Sequence, residues 1–331
     1  MPRDRRTADQ ADQGPGTKYY GLRNQPTVKL PLLKPVVPPH VFCLMAEGLT
    51  YGHVRRAEPP GIAFSQHFPY PANTLGAGSS GTPLFSAGAI APAVEAARRF
   101  AQGRLSRASV VFPDAWARIL PVDFDSLPSS PESAREMVAW KLKKLLPGVT
   151  AELEVVFTEM TPAGEQKRLL VAAAPADTLK SVAAAFEEKG VRVGALAPAS
   201  LTLFEGLAPV FSGKAPGDYA LIHRSPGSFV FIVARGEAPI FFRQRPSEGE
   251  DESHEQEMRL SLSYYSEKLN GTGLSAVYLH DAAPAESLPL DSFPVPPQPI
   301  SGRLFGADPT FDERLASRPE LLPGFAAVFG R

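Results

Sequence analysis

Hydrophobic positions along the chain form short extended runs that alternate with longer stretches of helical spacing. Residues 41–56, VFCLMAEGLTYGHVRR, read as strand, a turn at Glu47–Gly48, and strand, with 62–68 as a third strand. Residues 71–83, rich in glycine and serine, read as a mobile loop. Helical spacing over 90–100 puts Val94, Ala97 and Phe100 towards a core. Residues 109–112 run as a strand into Pro113–Asp114, a turn pair, and 117–122 resume the extended pattern. Ser129 or Ser130 then caps a helix whose first position is Pro131, with Glu132 and Glu136 in its early turns. Met137, Val138, Leu142, Leu145 and Leu146 recur at helical spacing. Lys141, Lys143 and Lys144 complement the negative end of the helix dipole, and Pro147–Gly148 stop the helix.

Further along, 152–160 and 168–174 read as paired strands joined by a polar connection. A helix over 177–189 ends at Gly190, a strand covers 191–196, and a helix opens at 200–206. A second half begins near Asp218, with strands at 219–223, 228–234 and 239–243. The acidic run EGEDESHEQE (248–257) reads as an open, solvated link, because its like charges repel. An amphipathic helix at 258–269 and a strand at 276–280 follow, then a proline-rich stretch, 283–300, that is not helical. The C-terminal PELLPGFAAVFGR docks back as a short helix. The alternation of strand and helix is that of an α/β protein. Residues 1–39, polar and then proline-rich, form a disordered tail ahead of a first lobe over 40–217 and a second over 218–331.

Composition narrows the functional classes. The 331 residues can build one large or two ordinary domains. A formal charge of −1 gives no bulk attraction to nucleic acid or anionic lipid. The single cysteine, Cys43, excludes an intrachain disulfide framework, suits a reducing compartment and reads as a small buried hydrophobe. The N-terminus lacks the apolar core of a signal peptide, and the longest apolar runs, such as 229–234, are too short to span a bilayer. His40, His53, His67, His223, His254 and His280 show no ligand spacing, and Glu248, Glu250, Asp251 and His254 read as a solvated helix entry rather than a metal site. Arg98, Arg99 and Arg104 lack the aromatic partners of a nucleic-acid platform. Gly-x-Ser-x-Gly, Cys-x-x-Cys and a Gly-rich loop ending in Lys-Ser/Thr are all missing.

One long stretch is more specific. The string VVFPDAWARILPVDFDSLPSSPESAREMVAWKLKKLLPG (110–148), continued by LLVAAAPADTLKSVAAAFEEKGVRVGALAPASLTLFEGL through Leu207, resembles the PilM-type pilus-assembly proteins. That resemblance implies an actin-like fold: two ribonuclease-H-like lobes with a small αβ subdomain, here about 112–174, inserted in the first. Arg259-Leu260-Ser261-Leu262-Ser263-Tyr264-Tyr265 resembles a helix of the second lobe. Only the short polar link precedes it, so one nucleotide-clasping lobe insertion is reduced. The resemblance also implies a cytoplasmic scaffold at the inner membrane, held there by the cytoplasmic peptide of a PilN-like protein and by other pilus-assembly components. The peptide would meet the 112–174 insertion. No direct membrane insertion is implied. Two other readings share the fold. One is the cytoplasmic part of the type II secretion protein GspL, which usually continues into a membrane span. The other is an active ATPase or sugar- or acetate-kinase-like enzyme.

The nucleotide turns of the fold bear on that choice. Actin-like enzymes place Asp-X-Gly between their opening strands, so that a carboxylate organises magnesium and glycine lets backbone N–H groups close on phosphate. Here the turn reads Met45-Ala46-Glu47-Gly48-Leu49-Thr50, with its acid displaced to Glu47. The equivalent turn of the second half reads His223-Arg224-Ser225-Pro226-Gly227-Ser228, without a carboxylate and with one N–H lost to Pro226. The adenosine-side turn, Asp281-Ala282-Ala283-Pro284, has no glycine pair. Glu47, Gly48, His223, Ser225, Gly227 and Asp281 are thus expected as vestiges of a nucleotide cleft, with ATP hydrolysis, catalytic residues, metal and cofactor all lost.

Overall fold

The computed structural model describes residues 37–70, 75–77, 83–146, 151–161, 166–245, 251–283 and 293–330. Strands β1 (His40–Leu44), β2 (Gly48–Arg55) and β3 (Gly61–Pro69) form an antiparallel meander. A short hairpin, β4 (Leu75–Ala77) with β5 (Pro83–Phe85), stands where the loop over 71–83 was expected. Residues 71–74 and 78–82 of that loop lie outside the described residues. Helix α1 (Ala87–Phe100) then leads to β6 (Arg107–Phe112), which lies parallel to β1.

The insertion follows: β7 (Arg118–Phe124), α2 (Pro131–Leu145), β8 (Leu153–Glu159) and β9 (Lys167–Pro175). Its three strands form their own sheet in the order β7-β9-β8. Ser130 caps α2, its hydroxyl accepting the Ser133 N–H, and Ala134, Val138 and Leu142 bury one helix face against that sheet. Helix α3 (Ala176–Glu187) returns the chain to β10 (Arg192–Pro198), parallel to β6. The first sheet therefore runs β10-β6-β1-β2-β3.

Helix α4 (Ala199–Lys214) crosses to the second half. There β11 (Asp218–Ser225), β12 (Ser228–Arg235) and β13 (Ala238–Arg245) form another antiparallel meander. Helix α5 (Asp251–Lys268) and β14 (Leu274–Asp281), parallel to β11, follow, with the two-residue strand β15 (Gln298–Pro299) at the edge. The order β13-β12-β11-β14-β15 repeats that of the first half. Each half is a ribonuclease-H-like unit, and the insertion sits between β6 and α3. The acidic run is not wholly an open link. Helix α5 already begins at Asp251; 246–250 lie outside the described residues.

Packing joins the halves. Side chains alternate across β11: Tyr219 and Leu221 enter the large core shared with the first sheet, while Ala220 and Ile222 face the α5 side. Helix α4 is apolar around most of its circumference, with Leu201, Leu203, Phe204, Leu207 and Phe211 buried, as a helix enclosed by protein must be. The C-terminal helices α6 (Phe311–Ser317) and α7 (Leu321–Phe329) come back across the structure. Helix α7 packs on α4 and on β1, β2 and β6, as a docking C-terminal helix should. The approach is so close that a Cβ at Gly206 would lie 2.1 Å from the Ala326 carbonyl oxygen. The expected tail is described only from Val37, which is buried in the first half; the Pro38 carbonyl accepts the Ser109 hydroxyl.

Candidate functional site: the cleft between the halves

The central strands β1, β6, β11 and β14 end at a common cleft. A cavity of about 260 Å³ lies there, lined by Met45 and Ala46 after β1, Val111 to Pro113 with Ala115 and Trp116 after β6, Ser225 to Gly227 after β11, and Ala282 after β14. Helix α7 closes one side with Glu320 and Pro323. The ends of parallel strands are where α/β folds leave room for a ligand.

Asp114 is the chemical centre of the cleft wall. A turn of 3₁₀ helix over Asp114–Trp116 follows Pro113 and drops the carboxylate into the interior, fully buried. Its Oδ1 accepts the Ser200 N–H at 3.0 Å and the Ser200 hydroxyl at 2.8 Å. Ser200 stands in the first turn of α4, so the carboxylate caps that helix as an anion would. Asp114 Oδ2 lies 3.3 Å from Nε2 of His223. A chain of imidazoles runs on from there. His223 Nδ1 lies 2.7 Å from His280 Nδ1, and His280 Nε2 lies 2.8 Å from the Pro319 carbonyl.

A carbonyl only accepts, so His280 carries its proton on Nε2 and receives one at Nδ1 from His223. Burial, reinforced by charge on His223, pushes the His280 pKa down to about 3, which keeps that ring neutral. The chain ties the end of β6 to β11, β14 and the segment before α7.

Other groups sew the same seam. Gln244 on β13 accepts the Ile119 N–H through Oε1 and donates through Nε2 to the carbonyls of Asp114 and Ala117. Thr50 donates to Glu320 Oε1 at 2.6 Å. Arg224 and Asp281 form a bidentate pair across β11 and β14. Cys43 is wholly buried beside the cavity, and burial, with the Glu320 charge adding, drives its thiol pKa upwards.

The residues expected in the cleft separate into two groups. His223, Ser225 and Gly227 line it. Glu47 is exposed and does not line the cavity; its carbonyl accepts the Tyr70 N–H. Gly48 is required by packing: a Cβ there would lie 2.4 Å from the His67 ring and 2.6 Å from the Phe68 carbonyl of β3. Asp281 is turned to Arg224, and its neighbour Ala282 lines the cavity. Glu248 and Glu250 lie outside the described residues. Asp114, Ser200, Gln244 and Glu320 were not anticipated as site residues. Pro113–Asp114 marks a turn, but nothing local pairs Asp114 with Ser200, 86 positions away.

The fold family implies Mg-nucleotide at this position, and the side chains can be tested for fit. Among the described residues the ionisable lining groups are Cys43, His223, His280 and Glu320, with no lysine, arginine or aspartate side chain. Pro226 offers no N–H, and Met45 and Ala46 present apolar side chains where the fold places a magnesium-organising acid. Among the described residues no group of three His, Cys, Asp or Glu side chains is placed to hold a metal ion. Glu320 would repel phosphate. This donor set does not fit Mg-ATP.

No protein-family model matches the chain, and no curated protein matches it either. Solved structures do. The PilM–PilN type IV pilus biogenesis complex overlaps 89% of this chain and 98% of its own with a TM-score of 0.68 at 20% identity. The cytoplasmic domain of EpsL, an inner-membrane component of the type II secretion system of Vibrio cholerae, overlaps 80% of this chain and 91% of its own at 12% identity, with a TM-score of 0.47. An actin-like ATPase-fold protein of unknown function from Bacteroides thetaiotaomicron overlaps 74% and 82% at 10% identity, with a TM-score of 0.46. The first likeness, with the repeated strand order, makes this chain a member of the actin-like ATPase fold.

Proposed function

We propose that the chain is a non-catalytic, PilM-like scaffold of a type IV pilus or related envelope machine. In this reading it works in the cytoplasm, and its insertion holds the cytoplasmic peptide of a PilN-like inner-membrane protein. The observation that carries the reading is the contrast between two regions of one fold. The inter-half cleft has a mostly apolar lining, and the carboxylate behind its wall, Asp114, is taken up by Ser200 of α4. The insertion, by contrast, keeps a complete sheet, helix and core. The overlap with a PilM–PilN complex supports the partner class.

Docking has a physical route. The β7 side of the insertion meets β13 through Gln244, while β8 pairs with β9 alone among the described strands. An extended peptide added to the β8 edge would gain backbone hydrogen bonds, and pockets for alternate side chains would fix its register. No described helix is long and apolar enough to cross a membrane, so a partner would supply the membrane link.

The test uses the N-terminal peptide of the PilN-like protein encoded in the same cell. Calorimetry should show binding that charge reversals at Glu154 and Glu159 on β8 weaken, and no heat with Mg-ATP. In cells a fluorescent fusion should be peripheral at the inner membrane only when the partner is present. A fusion that stays diffuse with the partner present, or micromolar Mg-ATP binding with turnover, overturns the proposal.

A further inference from the structure

Helix α2 carries a surface feature that its packing does not explain. Trp140 is 59% exposed, although tryptophan normally brings a large apolar area to a core or an interface. Lys144 stands one turn on, its Nζ 3.6 Å from the centre of the indole ring. Lys143 is exposed beside it, and Leu145 at the helix end is 47% exposed. Lys141 does not belong to this patch, because it turns inward to the Asp123 carbonyl and the Phe124 ring. Glu136 stands one turn before Trp140 on the same face and Glu132 one turn before that, so the positive charge of this face is confined to the last turn. The last turns thus present an indole and two lysines on one exposed helix face, whose opposite side is sealed by Ala134, Val138 and Leu142, with Leu145 at the end of that sealed side.

We infer that the C-terminal end of α2 is a contact point for an anionic membrane surface, with Trp140 entering the headgroup layer and Lys143 and Lys144 meeting lipid phosphates. Three observations choose a lipid surface over an acidic peptide. The patch is a single exposed helix face, whereas peptide sites are grooves with side-chain pockets. An indole with an apolar body and one N–H suits the water–lipid boundary. Lysine stems can lie along apolar surface while their ammonium groups reach phosphate. One tryptophan and two lysines bind weakly alone, so the contact orients and strengthens a complex already tethered through a partner. In that respect it rests on the scaffold reading. It also gives a local exception to the expectation, drawn from net charge, that lipid has no attraction for this chain.

The chain contains two tryptophans, and Trp116 is buried, so Trp140 can report on its own surroundings. The full chain is mixed with vesicles of phosphatidylcholine alone or with added phosphatidylglycerol, without any partner protein. Indole emission should shift to the blue, and brominated lipid should quench it, only with the anionic vesicles and only at low salt. Co-sedimentation should fall roughly fivefold for each of Lys143→Gln and Lys144→Gln, as loss of about one lysine's surface attraction requires. Trp140→Ala should abolish the quenching signal with circular dichroism unchanged. Equal signals with neutral and anionic vesicles, no signal at low salt, or a shift produced by poly-glutamate but not by vesicles would each overturn the inference. Peptide binding measured without lipid fails or succeeds independently, which separates this contact from the scaffold role.

Discussion

Replacing Asp114 by alanine tests whether the carboxylate is a structural clasp that ties the end of β6 to α4 and faces His223 of the second half. The wild-type carboxylate is fully buried, which is costly, and its removal would relieve that cost. Against this, Asp114→Ala strands the Ser200 N–H and hydroxyl and leaves His223 facing an apolar void. Leaving a buried donor without its acceptor costs about 1–3 kcal/mol, and here the N–H and the hydroxyl of Ser200 are both stranded. The stranded partners therefore decide the sign, and Asp114→Ala should destabilise the protein by about that amount. Ser200→Ala deletes one neutral donor and should cost only about 1–2 kcal/mol. The double variant should be less damaging than the sum, with a coupling above about 1 kcal/mol. Urea unfolding followed by circular dichroism gives these values. Fluorescence gives a local readout, since Trp116 is two residues from Asp114 and stacks on Phe112. A loss below about 1 kcal/mol for Asp114→Ala, or strict additivity with Ser200→Ala, would refute the clasp.

Gly206→Ala should drive a methyl group into the α7 backbone and cost about 1–3 kcal/mol; a lower thermal midpoint with faster proteolysis of the C-terminal helices is the expected result, and unchanged resistance would contradict the packing. Gln244→Leu removes the bonds to Ile119, Asp114 and Ala117, so hydrogen exchange at the Ile119 amide should speed up while the β8–β9 amides keep their protection. Acidification should weaken the fold before carboxylates titrate. The His280 pKa is about 3 when folded against 6.5 as a free side chain, so the unfolded state takes up protons first. Its stabilisation is complete above about pH 6.5 and declines by up to ~1.4 kcal/mol per pH unit below it. Urea midpoints between pH 6.5 and 4.5 should fall, and should fall less steeply in His280→Gln; parallel curves would contradict the assignment.

Much of this architecture is legible in the sequence because local signals and packing agree. The strand runs, Pro131 with its capping Ser130, and Gly190, whose φ of +73° closes the turn after α3, each specify one local conformation. The hairpin within 71–83 escapes notice because glycine and serine carry no apolar alternation. The start of α5 escapes because an acidic run suits both a solvated link and a first helical turn. The cleft is the harder case. Periodicity identifies the turns after β1, β11 and β14, but it cannot tell a lining residue from its neighbour. Glu47 and Asp281 each miss the cavity by one position: Glu47 stands exposed in the turn beyond Ala46, and Asp281 is drawn to Arg224. Asp114 belongs to no motif, and its role exists only once α4 delivers Ser200 to it.

What the clasp does for the molecule follows from the same geometry. Lobes that close on a ligand need an interface that can open, with few bonds crossing the hinge side. Here the cleft wall is crossed by the Asp114–His223 contact at the head of the imidazole chain to Pro319 and by Gln244, and α7 spans the first sheet and α4. These groups are largely buried, so opening the cleft would expose unpaired polar atoms in a low-dielectric seam. The insertion is bound into this framework twice: through Gln244, and through the Thr161 N–H donated to the Pro239 carbonyl of β13. The β8 edge, unpaired among the described strands, is thereby tied through the insertion to β13 of the second half. A fixed edge loses little entropy when a peptide adds to it, which favours steady grip over cycling. Gln244 is the central tie of this framework, with bonds to Ile119, Asp114 and Ala117. A Gln244→Leu variant that folds but binds the partner peptide more weakly, without any change at β8 itself, is the expected signature of a framework that pre-organises its docking edge.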